Sequence, residues 1–447
     1  MSGENQAIRP EPSGVVRLLQ KAVDVKASEV RALFLGFIYY FLIFSSYYVI
    51  RPIRDDIGAA NGIDKLPWLF TGTMIAMLFA NALFAALVVK FSRRRFIPIA
   101  YRFLIANLVM FFVLLLLLSK EHQVWVGRAF YVWTSVFSLF VVSVFWAFMV
   151  DIFSTEQGKR LFGFISVGGT LGAIVGAAIT ATLVRSIGSL NLLLISAVLL
   201  ELGVQCARLF PTKFESATSA KKKDGDDTPI GGSIWAGIVH NLRSPYLLGI
   251  CAYIFLYATT STLLYFQQVD IAAHAFADRA ARTAFFAKID LVVNVLAILG
   301  QAFLAARLIK WLGVGITLAV LPAMSVIGFA ALGVGPTLVL LVVFLTLRRA
   351  TDYALARPAR ETLFTVLSRE DKYKAKNLID TFVYRGGDQF GAWSNRLLGG
   401  MGLRLAGISF VAVPVAATWL LVSLWLGRRQ ARMARESQLN NPTPIGQ

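Results

Sequence analysis

Residues 32–50 read ALFLGFIYYFLIFSSYYVI, an uncharged run that follows a polar and basic stretch and ends at Arg51. A helix rises about 1.5 Å per residue and a bilayer's hydrocarbon core is about 30 Å thick, so a run of this length can cross it. Similar runs recur at 67–89, 96–118, 126–152, 161–184, 190–209, 246–266, 285–306, 314–334, 336–355, 377–398 and 407–427. The chain therefore reads as an all-α integral membrane protein with about twelve transmembrane helices. The first run is expected to persist as a span, because polar and basic residues precede it and no small-residue cleavage site follows.

Composition agrees. Of 447 residues, 57% are hydrophobic and 15% charged, which argues against a soluble enzyme or a disordered chain. The formal charge of +19 would suggest nucleic acid in a soluble protein. Here the basic clusters fall on alternate connections: Lys90 with Arg93, Arg94 and Arg95; Lys221, Lys222 and Lys223; Arg357 to Lys376; Arg428 to Arg435. Basic residues accumulate on the cytoplasmic side of membrane proteins, so both termini are expected in the cytoplasm and no nucleic-acid partner is implied. Cys206 and Cys251 lie in apolar runs, and His122, His240 and His274 are scattered in or near connections. No HExxH, GxSxG or P-loop pattern occurs, so the chain does not read as an enzyme and no cofactor or metal is implied.

The polar segment 211–243 divides the runs into two groups of six and reads as a cytoplasmic linker, with 234–242 a candidate interfacial helix. The expected organisation is a tail at 1–31, a six-helix bundle at 32–210, the linker at 211–243, a second bundle at 244–427 and a tail at 428–447. The halves echo one another. Lys90-Phe-Ser-Arg-Arg-Arg95 follows the second run and Arg307-Leu-Ile-Lys310 the eighth, each a short basic turn. The fifth run carries Gly168, Gly172 and Gly176, the eleventh Gly387 and Gly391, and small residues four apart let helices approach closely. Ordinary helix packing explains these glycines, and packing that can slide also suits a rocking transporter. Two six-helix repeats joined by a cytoplasmic loop form the pattern of a major-facilitator-type carrier with a solute site between the halves.

Charges inside spans cost about 2.5–3.5 kcal/mol or more each and need a partner, a wet cavity or a function. Tyr40, Phe44, Tyr47, Arg51, Arg54 and Asp55 fall on one helical face, an aromatic stripe running into a cationic end. Such a stripe stacks on a planar ring while guanidinium groups grip phosphate or carboxylate oxygens; helix packing with an Arg51–Asp55 pair is the equally weighted alternative. Pro52 is expected to kink the helix and expose the arginines. The seventh run holds Tyr253, Tyr257, Ser261, Tyr265 and Gln268 in the corresponding place, which predicts a site whose cationic part lies on the first half. The remaining candidates are Arg102, Asp151, Glu201, Asp290 with Asn294, Arg348, Arg349, Asp352, Asp380, Arg385 and Asp388. Asp151 and Glu201 could carry protons, since desolvation favours a neutral carboxyl, or belong to salt-bridged gates.

Residues 352–380 read DYALARPARETLFTVLSREDKYKAKNLID. This stretch resembles the ATP/ADP translocase family of plastids and obligate intracellular bacteria, whose members carry a Pro-x-Lys-Glu turn, then spaced lysines and Ile-Asp in the same register. Arg51-Pro-Ile-Arg54-Asp55 is similar to that family's Arg-Asp-Thr-Lys-Asp, and Phe145-Trp-Ala-Phe-Met-Val-Asp151-Ile to its Phe-Trp-x-Phe-Ala-Asn-Glu-Ile. Gln157-Gly-Lys159-Arg160-Leu-Phe162 resembles its Glu-Ala-Lys-Arg-Phe-Tyr. The resemblance implies that Arg54 stands at a transport-critical lysine and Asp151 at an essential glutamate. Tyr265 falls where the family has a functional glutamate, and Asp388 aligns with a functional lysine, leaving Arg385 as the nearby cation.

These observations lead to an alternating-access secondary transporter, exchanging nucleotides of the ATP/ADP type or moving a related phosphorylated anion. Arg51, Arg54, Arg385 and Asp388 would handle the charged group, and Tyr40, Phe44 and Tyr47 or Tyr257 and Tyr265 the ring. Asp55, Asp151, Glu201, Asp290, Arg348, Arg349, Asp352 and Asp380 would gate or couple, with Lys159, Arg160, Arg360 and Glu361 as cytoplasmic charge clamps. Proton-coupled transport of another anion or amphiphile, and a non-transporting scaffold or sensor, are the alternatives. The expected partners are a small anion and the lipid bilayer, the expected location a bacterial inner membrane, and nothing in the sequence requires more than one copy.

Overall fold

The computed structural model describes residues 25–26, 28–90, 93–210, 244–367, 376 and 379–440. The linker 211–243, with its candidate interfacial helix, lies outside them, as do residues 1–24 of the N-terminal tail and the last residues of the C-terminal one.

Helix α1 is Val30–Ala60, α2 Leu66–Lys90, α3 Arg93–Leu117 and α4 Lys120–Ile152. The next helical segment, Thr155–Arg208, starts with a capping box in which Ser154 and Gln157 bond each other's backbone. Gly188, at φ +78, divides it into α5 and α6, because a reversal through positive φ is open to glycine without steric cost. The two run in opposite directions along α1. On α5, Gly168 meets Phe37 and Thr180 bonds the Val49 carbonyl, whereas on α6 Ser196 bonds Ser46 and Cys206 bonds the Leu35 carbonyl.

In the second half α7 is Pro245–Ala275, with Ser244 accepting from the Leu247 amide and Pro245 in the first turn, where its missing N–H costs nothing. Helix α8 is Arg279–Gly300, capped by Asp278 and carried on through the wide turn Gln301–Ala305. The segment Ala306–Val334 breaks at Gly313 (φ +75), after which it is α9. Helix α10 runs Leu338–Thr351, through the wide turn Asp352–Ala356 into Arg357–Leu363, and α11 runs from the wide turn Ile379–Val383 into Tyr384–Gly400. Helix α12 is Leu405–Asn440.

The described part of every expected span falls mainly on these helices, residues 377–378 of the eleventh lying outside the described ones, and several helices run past the expected ends. Helix α1 continues through Pro52 to Ala60 without interruption, and Arg51 and Arg54 are each 18% exposed, so the proline does not uncover them. Among the described residues nine helical segments are long and apolar enough to cross a membrane, the α5–α6 pair counting as one. Helices α10 and α11 fall short because wide turns divide them, leaving regular parts of 14 and 17 residues that carry Arg348, Arg349, Arg385 and Asp388.

The repeat is built into the packing. A Cβ at Gly168, Gly172 or Gly176 would run into the carbonyls of Phe37, Phe41 and Ser45 on α1, and one at Gly387 or Gly391 into those of Phe255 and Thr259 on α7. Ser45 bonds the Gly172 carbonyl at 3.1 Å, and Thr259 bonds the Gly387 carbonyl at 3.3 Å. The α1–α5 and α7–α11 contacts are therefore the same joint made twice, which is the two-bundle architecture read from the sequence.

Candidate functional site

A cavity of about 240 Å³ lies where α1, α2, α7, α10 and α11 converge. Helix α1 contributes Arg51, Arg54 and Asp55, and α2 contributes Phe70. Helix α7 presents Tyr257, Ser261, Thr262, Tyr265 and Gln268, whose spacings bring them toward one face. Helix α10 supplies Arg348, Arg349, Asp352, Tyr353 and Arg357, and α11 supplies Tyr384, Arg385 and Asp388.

Ion pairs hold most of these charges. Arg54 meets Asp55 at 3.3 Å, Arg357 meets Asp352 at 3.1 Å and Arg385 meets Asp388 at 3.1 Å. Behind the wall, one oxygen of the buried Asp290 takes Arg349 at 2.7 Å and Arg51 at 3.6 Å. Arg348 differs. It is 3% exposed, and its three nitrogens bond the hydroxyls of Ser325, Ser261 and Thr260 at 3.0, 3.0 and 2.9 Å, with no carboxylate among its described partners. Aromatic rings pack against two of the cavity arginines. Arg54 lies 4.1 Å from the Tyr131 ring centre and Arg357 4.2 Å from that of Tyr353, in cation–π range. Tyr257 donates to Asp352 at 2.8 Å and Tyr265 to Asp55 at 3.0 Å, so each tyrosine ties α7 to a cavity carboxylate.

Polar contacts also join the halves where α1 ends. Asp56, fully buried, takes Arg282 at 2.6 Å and Arg279 at 3.1 Å from the start of α8. Thr71 donates to Gln389 at 2.9 Å, Arg396 donates to the Asp64 carbonyl at 3.2 Å, and Trp68 meets Trp393 edge to face. A charged cavity between two helical repeats, with breakable polar links beside it, is equipped to hold an ion and to change shape around it.

The family model described as Major Facilitator Superfamily matches residues 32–364. The chain belongs to the Major Facilitator Superfamily. Solved structures of similar fold include a D-xylose–proton symporter (TM-score 0.62, 12% identity, covering 89% of this chain and 97% of that one). The nucleoside transporter NupG is similar at TM-score 0.59 and 13% identity, with coverage of 92% and 100%. A bacterial homologue of the human lysosomal transporter Spinster gives TM-score 0.54 and 14% identity, with coverage of 94% and 100%. At these identities the likeness is one of fold. The comparison with curated proteins found no match.

In this superfamily member the structure gathers Arg51, Arg54, Asp55, Tyr257, Tyr265, Arg348, Arg349, Asp352, Arg385 and Asp388 around one cavity, with Asp290 directly behind. Three sequence expectations change. Arg51 pairs with Asp290 rather than Asp55, because the neighbouring Arg54 takes Asp55. The cationic part is not confined to the first half, since Arg348, Arg349, Arg357 and Arg385 from the second half join Arg51 and Arg54. Arg357, read as part of a cytoplasmic basic cluster, lines the cavity because the wide turn Asp352–Ala356 lets its side chain reach back to Asp352.

Other candidates lie elsewhere. Tyr40 stacks on Phe145 at 4.2 Å and receives a bond from Trp146, while Phe44 and Tyr47 pack on Tyr48 and beside Ala173 and Ala177 of α5, and none of the three lines the cavity. Glu201 pairs with Arg102 at 2.9 Å on the outer face of the bundle, where both are partly exposed. Asp151 is half-buried at the end of α4 and is not part of the cavity wall. Arg160 bonds Glu29 and Glu361 bonds Lys376, each within its own half, while Arg360, next to Glu361 in the chain, is half-buried. The side chains of Lys159 and Asp380 lie outside the described residues. Sequence reading missed Tyr353, Asp56 and Arg282; the last two, charged and close to span ends, looked like ordinary loop residues.

Proposed function

We propose that this chain is a secondary active transporter for a phosphorylated organic anion, with nucleotides the class suggested by the resemblance of residues 352–380 to ATP/ADP translocases. The observation that carries this reading is the cavity's charge: six arginines, Arg51, Arg54, Arg348, Arg349, Arg357 and Arg385, line it together with three aspartates. Guanidinium groups present paired N–H donors that match the oxygens of phosphate, and tyrosine faces beside them suit the organic part of the solute.

Transport follows from alternating access. The glycine joints between α1 and α5 and between α7 and α11 keep each half compact, while the links from Asp56 to Arg279 and Arg282 join the halves and must part when the cavity opens at that end. Anion binding draws Arg51 and Arg54 on one half and Arg385 on the other toward a common charge, which favours closure around the solute. The protein sits in a bacterial inner membrane with both termini in the cytoplasm, in keeping with its basic connections.

Reconstitution into liposomes tests the reading. Labelled nucleotide or other organic phosphate should accumulate in vesicles holding the protein, and Arg54→Ala should reduce uptake at least tenfold. Uptake unchanged by Arg54→Ala, or confined to uncharged solutes, would sink it.

A further inference from the structure

Burial and charge together narrow the substrate. Six guanidinium groups line the cavity, and four carboxylates stand against them: Asp55, Asp352 and Asp388 in the wall, and Asp290 behind Arg51 and Arg349. With every group ionised the excess is two positive charges. Five of the arginines reach an aspartate, two of them sharing Asp290. Among the described residues Arg348 makes no ion pair: its hydrogen bonds go to the hydroxyls of Thr260 and Ser261 on α7 and Ser325 on α9, and its guanidinium lies 5.7 and 5.8 Å from the Tyr257 and Trp419 ring centres.

That arrangement fixes the group without neutralising it. A guanidinium has five N–H donors; one on each nitrogen is taken, and the remaining two have no hydrogen-bond acceptor among the described residues, on a side chain that lines the cavity. A buried charge with no carboxylate in ion-pair contact is costly, and three hydroxyl dipoles with two ring faces offset only part of that cost. An oxyanion seated on those two N–H groups would supply the rest, with a planar donor edge that matches it in two contacts.

We infer that Arg348 anchors a dianionic headgroup and that the preferred substrate is a compact phosphomonoester rather than a nucleoside di- or triphosphate. This rests on the proposed reading of the cavity as a substrate site for organic phosphate. A phosphomonoester carries about 1.5 to 2 negative charges at neutral pH and brings the cavity close to neutrality. A triphosphate would overshoot it, leaving net negative charge in a low-dielectric site where repulsion is strong. Size points the same way, since about 240 Å³ lies below the roughly 300–1,000 Å³ of sites that take drug-sized ligands.

The test is thermal unfolding of the purified full chain titrated with AMP, glucose 6-phosphate, glycerol 3-phosphate, ADP, ATP and succinate, without divalent cations. Ligands that bind the folded state raise the midpoint with concentration. At least one phosphomonoester should give a saturable rise at concentrations tenfold or more below those ADP and ATP require. Arg348→Gln should weaken that response at least tenfold, whereas Arg102→Gln, on the outer face, should not. If Arg348→Gln does not fold, Arg348→Lys decides: it keeps the charge and loses the two-pronged edge, and should lower affinity at least tenfold. A variant at Arg348 that binds phosphomonoester as the natural chain does would make the residue a structural brace and overturn the inference. So would ATP or ADP binding as tightly as any phosphomonoester. A natural chain that responds to no phosphate compound, or to succinate alone, would overturn the underlying organic-phosphate reading as well.

Discussion

Arg349 on α10 meets Asp290 on α8 at 2.7 Å, and the same carboxylate oxygen takes Arg51 from the opposite half at 3.6 Å. One buried aspartate therefore stands between two cavity arginines and links the repeats. Asp290→Asn removes its charge and leaves both guanidiniums without it. Breaking a buried pair in this way typically costs about 3–5 kcal/mol, so the variant should unfold at lower temperature and transport at least tenfold more slowly. In the double variant Arg51→Gln/Asp290→Asn, part of the stability should return. The two changes should be coupled by about 0.5–3 kcal/mol in a double-mutant cycle, and strict additivity would show that the pair does not interact.

The glycine joints make opposite predictions at two positions on one helix. At Gly172 a Cβ would run into the Phe41 carbonyl, so Gly172→Ala should drive α5 from α1 at a cost of about 1–3 kcal/mol. At Gly163 nothing lies within 4 Å of such a Cβ, and alanine is the better helix former by about 1 kcal/mol. Gly163→Ala should hold or raise the unfolding midpoint where Gly172→Ala lowers it. Equal effects of the two would contradict the close approach.

Tyr265 joins the halves through its hydroxyl, donating to Asp55 at 3.0 Å and lying 3.3 Å from the Tyr131 hydroxyl. Tyr265→Phe keeps the ring in the cavity wall and removes only that oxygen. A hydrogen bond to a charged group contributes about 1.5–3 kcal/mol. The variant should fold, lose that much stability and shift the apparent affinity for substrate. Proteoliposome kinetics identical to those of the natural chain would show that the hydroxyl is idle.

At the start of α1, outside the spans, burial pushes the Glu29 carboxyl up. Bonds from the Lys26 amide and the Gln157 and Arg160 side chains outweigh it and hold the group below the usual glutamate range. A carboxylate whose folded value is depressed adds stability that is fully present above its unfolded value and is lost as pH falls through the folded one. Unfolding scans between neutral and acid pH should therefore show the Glu29→Gln variant converging on the natural chain at the acid end. A gap that stays constant with pH would rule out ionisation of Glu29 as its source.

The amino-acid sequence by itself determined the class and the plan of this protein. Helix length against bilayer thickness set the spans, and glycines four apart marked both copies of the joint that the structure shows at Phe41 and Thr259. Charges within apolar runs or at their ends are expensive enough to signal a site, and Arg51, Arg54, Arg348, Arg349, Asp352, Arg385 and Asp388 were visible on that ground before any fold. What only the tertiary structure decided is which of those charges face one another. Glu201 and Asp290 look alike in sequence, each a lone carboxylate in an apolar run, yet Glu201 pairs with Arg102 on the outer face while Asp290 is buried between two cavity arginines. Lipid and protein interior are both apolar, so hydropathy cannot separate a lipid-facing side of a helix from a core-facing one. For the same reason the stripe of Tyr40, Phe44 and Tyr47 could be placed on a face but not beside a neighbour. Helical periodicity orders residues around their own axis, and the partner across the gap is set by how the helix axes pack.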